Sequence, residues 1–200
     1  MKGSLLKTAF FVVLLTGISA AGAYGQFTIS GGFALSRVNA ESDGITVEGS
    51  VGIGGNVYVD YLLPINIPLS LGGEIGIDSS SLETNTDDIR VLAIPILARA
   101  AYHFDLFPKF DLYVVGKIGF AIGRITDGPK NVTDAFDSAA GFAFGIDAGA
   151  AYYFTSLVGV FAEVGFDDYM IKAKFKESGG SYSIKTPFYR FITFGLSFKK

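Results

Sequence analysis

Hydrophobic and small or polar residues alternate along most of the chain beyond residue 25. The last copy of the pattern is the clearest. Phe188, Arg190, Ile192, Phe194, Leu196 and Phe198 take one parity, and Tyr189, Phe191, Thr193, Gly195 and Ser197 take the other. A period of two is a β-strand with two unlike faces. Segments of this kind fall at about 27–38, 46–61, 67–78, 89–104, 111–125, 139–154, 158–174 and 184–198. Every apolar run after residue 25 is cut by Gly, Pro or charge, so no helical membrane span is expected there. The pattern predicts an all-β chain of eight antiparallel strands.

The two parities differ in an unusual sense. One carries the large apolar residues, among them Phe33, Ile53, Ile75, Ile96, Ile118, Phe144, Val164 and Phe194. The other carries Gly, Ala and Ser with isolated charges: Glu74, Arg99, Lys117, Asp147 and Glu163. A soluble barrel would turn the apolar set inward and the charges outward, with no need for so many accompanying glycines. A barrel in lipid does the reverse, apolar outside and small or polar inside. The expected fold is an eight-stranded antiparallel up-and-down transmembrane β-barrel. Its apolar set holds no charge at mid-strand, where an Arg or Lys would cost roughly 2–4 kcal/mol. Arg190 and Asp168 share the apolar parity and are expected near strand ends, where long side chains can snorkel.

The connections alternate in character. Segments 39–45, 79–88, 126–138 and 175–183 are polar, whereas 62–66, 105–110 and 155–157 are short or flanked by apolar residues. Long outer loops and tight periplasmic turns would look like this, with both termini on the periplasmic side. Tyr58–Tyr61, Ala101–Phe104 and Ala151–Phe154 precede the three short turns and bring aromatic residues to one level, as an interfacial girdle would.

The first 25 residues read separately. Lys2 and Lys7 open the chain, Leu5 to Ile18 is largely apolar, and small residues lead to Ala23-Tyr24-Gly25. This pattern predicts a cleaved secretory signal peptide over 1–25 and a barrel domain over 26–200. The chain has 16 basic and 19 acidic residues. Losing Lys2 and Lys7 leaves 14 against 19, a net charge of −5. That balance argues against nucleic acid as a partner. Cysteine is absent and His103 is the single histidine, so thiolate chemistry is excluded and histidine metal sites nearly so.

Eight strands leave a lumen just wide enough to be filled by side chains. Charges converging there must pair, because unpaired they would each cost several kcal/mol. Arg99 and Lys117 are therefore expected among Glu74, Asp147 and Glu163, as a plug that fixes the barrel or, alternatively, as a polar path. His103 lies beside Asp105 with no serine nearby in sequence, and it reads as a residue of the aromatic girdle. Asp127, Asp134 and Asp137 lack calcium-loop spacing, and the Asn131-Val132-Thr133 triplet reads as chance. No catalytic residue, cofactor or metal is assigned.

The chain resembles the small outer-membrane β-barrels of the OmpA-like and OmpX-like superfamily over 27–198. The resemblance rests on the leader, the alternating strands, the charged inward positions and the closing strand Tyr189–Phe198. It implies that Tyr189, Phe191, Phe194, Leu196 and Phe198 belong to a strand read by the barrel-insertion machinery. With no catalytic array read from the residues, the expectation is a non-enzymatic monomer in bacterial outer-membrane lipid, serving structure, envelope integrity or surface interaction. Two alternatives stand beside this: a narrow channel for small hydrophobic molecules, similar to the OmpW family, and a secreted lipocalin-like ligand-binding barrel. A surface ligand is not specified by the residues.

Overall fold

The computed structural model describes residues 26–42, 45–83, 88–127, 139–177 and 180–200. The predicted leader over 1–25, and Asn131, Asp134 and Asp137, lie outside them. The eight expected strands form: β1 (Gln26–Ser42), β2 (Ile45–Leu62), β3 (Leu69–Glu83), β4 (Asp88–Phe107), β5 (Phe110–Asp127), β6 (Ala139–Tyr153), β7 (Val158–Glu177) and β8 (Gly180–Lys199). Each pairs antiparallel with its neighbours in chain order, and β1 pairs with β8 to close the barrel. Closure removes the edge strands, so the ladder can sit in hydrocarbon with its backbone groups satisfied.

Several strands run past their predicted ends into the polar connections. β1 reaches Ser42 and β3 reaches Glu83. The ladder does not depend on apolar side chains, so pairing continues where the residues turn polar. At the opposite end the joins are tight. Pro108 and Lys109 link β4 to β5, with Lys109 at a positive φ of 67°. Both termini of the barrel lie at this end, where Phe27 and Lys200 exchange backbone hydrogen bonds of 3.0 and 2.8 Å.

The parity assignment holds around the wall. Phe33, Ile53, Ile118, Ile146 and Val164 point outward, with Ile53 68% exposed. Glu74, Arg99, Lys117, Asp147 and Glu163 point inward and are at most 5% exposed. The lipocalin-like alternative required the opposite and is overturned. On the outside, ring pairs Phe27–Tyr61, Tyr102–Phe104 and Tyr152–Phe154 gather near the tight turns, with centroids 4.7 to 5.5 Å apart.

One expectation fails in β8. Arg190 does not face outward; it is 1% exposed and lies in the lumen with Phe188. The register explains it. Leu35 and Ser36 of β1 are consecutive, but their partners in β8 are Ile192 and Arg190. Phe191 is the extra residue of a β-bulge, and a bulge reverses the parity of what precedes it. Thr193 and Ser197 therefore face inward on one side of the bulge, and Arg190 and Phe188 on the other. Asp168 keeps its expected outward parity opposite Tyr189.

The interior is layered. Toward the polar-loop end, Val38, Leu82, Val91, Leu97, Ile171 and Phe188 form an apolar cluster with Tyr169. A second cluster near the tight turns contains Tyr58, Tyr113, Val115, Tyr153 and Phe161. The charges lie between them.

Candidate functional site

Four inward-facing strands supply carboxylates to this middle layer. Four of these side chains share a local device. Asp60, Asp78, Asp147 and Asp167 are in register with Gly72, Gly54, Gly165 and Gly145 on the adjacent strand. A Cβ at any of those glycines would collide with the aspartate oxygen opposite. Each carboxylate lies flat over a glycine, which keeps the lumen wide enough for the groups that cross it.

Three cations cross. Arg99 Nη1 donates to Glu74 Oε2 at 2.7 Å and Arg99 Nη2 to Glu163 Oε1 at 2.7 Å. Its Nε stands 3.4 Å from Asp60 Oδ1. The guanidinium also covers the Tyr58 ring at 3.8 Å, a favourable cation–π stack. Lys117 Nζ is paired with Asp147, with Asp167 Oδ2 at 3.1 Å, with Glu163 Oε2 at 3.5 Å and with Glu74 Oε2 at 3.6 Å. Arg190 donates from Nε to Asp167 Oδ2 at 2.9 Å and from Nη2 to Glu74 Oε1. Glu74 is thus the hub, contacting all three cations and receiving Asn56 Nδ2 at 3.1 Å.

The structure brings together the five charges picked out by their inward parity. It adds Arg190, Asp167, Asp60 and Asp78. The tie between Asp167 and Arg190 did not follow from strand parity. Tyrosines complete the layer. Tyr113 donates to Glu163 Oε1 at 3.0 Å and Tyr169 to Asp78 Oδ2 at 3.2 Å. Among the described residues, these six carboxylates face three cations. Such a layer is directional and specific. It can hold the barrel in one register, and it leaves no apolar path through the middle.

His103 corrects the second expectation. It faces the lumen and not the girdle. Its ring contacts Ser70 Oγ through Nε2 at 2.9 Å and Asp111 Oδ1 through Nδ1 at 2.9 Å. The side chain of Asp105 lies outside the described residues. Ser70 and Asp111 are 33 and 8 residues away from the histidine, and the strand register alone brings them to it.

In the C-terminal strand, Phe194, Leu196 and Phe198 face outward, Tyr189 is half-buried beyond the bulge, and Phe191 is the bulged residue.

A family model described as outer membrane protein beta-barrel domain matches residues 8–198. The chain belongs to that family. No curated protein matches it in sequence. Solved structures match the fold at low identity. The outer membrane protein OprG from Pseudomonas aeruginosa is 15% identical, with 88% of this chain and 96% of that one covered and a TM-score of 0.61. Neisserial surface protein A is 15% identical over 86% and 96%, with a TM-score of 0.55. The attachment invasion locus protein Ail of Yersinia pestis, in complex with the heparin analogue sucrose octasulfate, is 16% identical over 88% and 99%, with a TM-score of 0.52. The chain is a bacterial outer-membrane barrel.

Proposed function

We propose that this barrel is a plugged, monomeric wall element of the outer membrane, acting in envelope structure or surface interaction and not as a conduit. The observation that carries this reading is the charge layer enclosed between two apolar or aromatic clusters. A solute crossing the lumen would have to separate Arg99 from Glu74 and Glu163, and Lys117 from its carboxylates, all of them almost fully buried. Removing one partner of a buried pair costs about 3–5 kcal/mol, and several pairs would open together. The leader over 1–25 brings the chain to the envelope, and the strand Tyr189–Phe198 is what the insertion machinery reads. The polar connections then face outside, and both termini face the periplasm.

The OmpW-like alternative draws on one feature, the inward apolar cluster toward the polar-loop end. That cluster is filled, however, with Tyr169 and Phe188 stacked at 6.0 Å. Liposome flux separates the two readings. Refolded barrel in vesicles should pass small sugars and small hydrophobic dyes no faster than protein-free vesicles. Flux that scales with the amount of barrel would overturn the plug. Orientation is tested on intact cells. An epitope inserted between Asn131 and Val132 should be reached by antibody without permeabilisation, and one fused after Lys200 should not.

A further inference from the structure

We propose that Ser70, His103 and Asp111 form a base-activated serine nucleophile that takes up short acyl groups from water-borne esters at the tight-turn mouth of the barrel.

The three residues come from consecutive strands. Ser70 is opposite Ala101 across the β3–β4 ladder, and His103 is opposite Tyr113 across β4–β5. Ser70 and Asp111 are therefore the diagonal neighbours of His103 on the same inward face, within reach of an imidazole. Both ring nitrogens are engaged in the order that activation needs. Asp111 Oδ1 stands 2.9 Å from Nδ1 and Ser70 Oγ 2.9 Å from Nε2; in the neutral ring with its proton on Nδ1, Nε2 accepts from the Ser70 hydroxyl. This is the nucleophile, base and orienting acid arrangement recognised by geometry and not by chain order. Asp111 is a positioning residue, and its carboxylate would steady the imidazolium as it forms.

The group also has room beside it. A cavity of about 120 Å³ opens at this mouth, lined by Ser70, His103 and Asp111 together with Tyr58, Tyr153 and Lys199. Its size suits a short acyl chain against the tyrosine rings. Because all three side chains face the lumen, substrate must arrive from water through the mouth and not from the surrounding lipid. Ser70 is paired on both flanks, to Leu62 and Ala101, so the strand does not offer the paired amides of an oxyanion hole. Lys199, whose ammonium lies 5.3 Å from the Tyr153 ring centroid, is the cation in the cavity available to a developing oxyanion. A slow reaction is expected from a single flexible cation.

In the step, Ser70 Oγ bonds to the ester carbonyl carbon while its proton passes to His103 Nε2. The carbon–alkoxide bond then breaks, and the leaving alcohol takes that proton. Water then attacks the acyl carbon and gives a proton to His103, the carbon–Oγ bond breaks, Ser70 Oγ takes that proton back from His103, and the carboxylic acid is released.

The decisive experiment treats the folded barrel in detergent with a fluorophosphonate and maps the adduct by peptide mass. Here Ser70 Oγ bonds to phosphorus, fluoride leaves, and the proton goes to His103. The expected result is one adduct, on Ser70, lost in Ser70→Ala. His103→Gln should slow labelling by about 100-fold or more, and Asp111→Asn should slow it as well. Heat-dependent band shift on unboiled gels confirms that each variant is folded. An unlabelled Ser70 in the folded wild-type barrel overturns the proposal, as does a labelling rate unchanged by His103→Gln. The adduct on wild-type Ser70 is read even where a variant fails to fold.

Discussion

The middle of the lumen and its tight-turn mouth are built from the same residue types but to different plans. In the middle, every cation is shared: Lys117 faces four carboxylates and Glu74 faces three cations. At the mouth, Ser70, His103 and Asp111 form a line, with one bond on each side of the ring. The middle is buried almost completely, whereas the His103 and Asp111 side chains keep 17% and 15% exposure. A shared, enclosed set loses much when one member goes and does nothing that needs a visitor. A linear set that lines the cavity at the mouth carries little of the fold and is free to do chemistry. The distinction teaches that charge alone does not mark a site; connectivity and access do.

The largest effect should come from breaking the middle on its scarce side. Arg99→Ala removes the guanidinium that Glu74, Glu163 and Asp60 share. Carboxylates already outnumber cations there, so the loss should be about 3–5 kcal/mol. The measurement is the urea midpoint of the barrel in lipid vesicles. An unchanged midpoint would mean that the layer is solvated and does not hold the wall. Gly145→Val comes next. Its side chain would strike Asp167, pushing that carboxylate off both Lys117 and Arg190. A cost of about 1–3 kcal/mol is expected from the overpacking alone, and Gly116→Val, where a Cβ meets nothing within 4 Å, is the matched control. If both variants unfold at the same midpoint, the glycine seats under the aspartates have no role. Asp147→Asn should cost less still, about 1 kcal/mol. Lys117 keeps Asp167, Glu163 and Glu74, and removing a carboxylate eases the excess of negative charge. A larger loss than for Arg99→Ala would reverse the assigned imbalance.

The same contrast explains what could be read from the chain beforehand. Strand periodicity located all eight strands and the two faces, because a period of two survives uncertainty at strand ends. It also singled out Glu74, Arg99, Lys117, Asp147 and Glu163 as charges on the inward parity. Arg190 escaped because one bulged residue, Phe191, exchanges the faces within β8. Its warning was a charge on the apolar parity of a strand that must cross lipid. The mouth escaped for a different reason. Whether Ser70 meets His103 depends on the stagger between β3 and β4, and a shift of two residues would separate them without altering any alternation. Hydrophobic pattern constrains which face a side chain takes far more strongly than which neighbour it meets.

The smallest stability effect is predicted where the chemistry is proposed. His103→Gln removes a ring that keeps some exposure to water, and an amide can still reach one of its two partners. The unfolding midpoint should fall by less than about 1 kcal/mol, in keeping with one or two neutral hydrogen bonds at a partly exposed site. Read beside Arg99→Ala in the same vesicles, this variant divides the lumen cleanly. A small loss of stability with an intact band shift means that the mouth is dispensable to the fold, so any loss of Ser70 reactivity in this variant belongs to the base itself. A loss approaching that of Arg99→Ala would join His103 to the structural layer. The line of three residues would then be a pin for the tight-turn end, and the difference between the two regions would collapse.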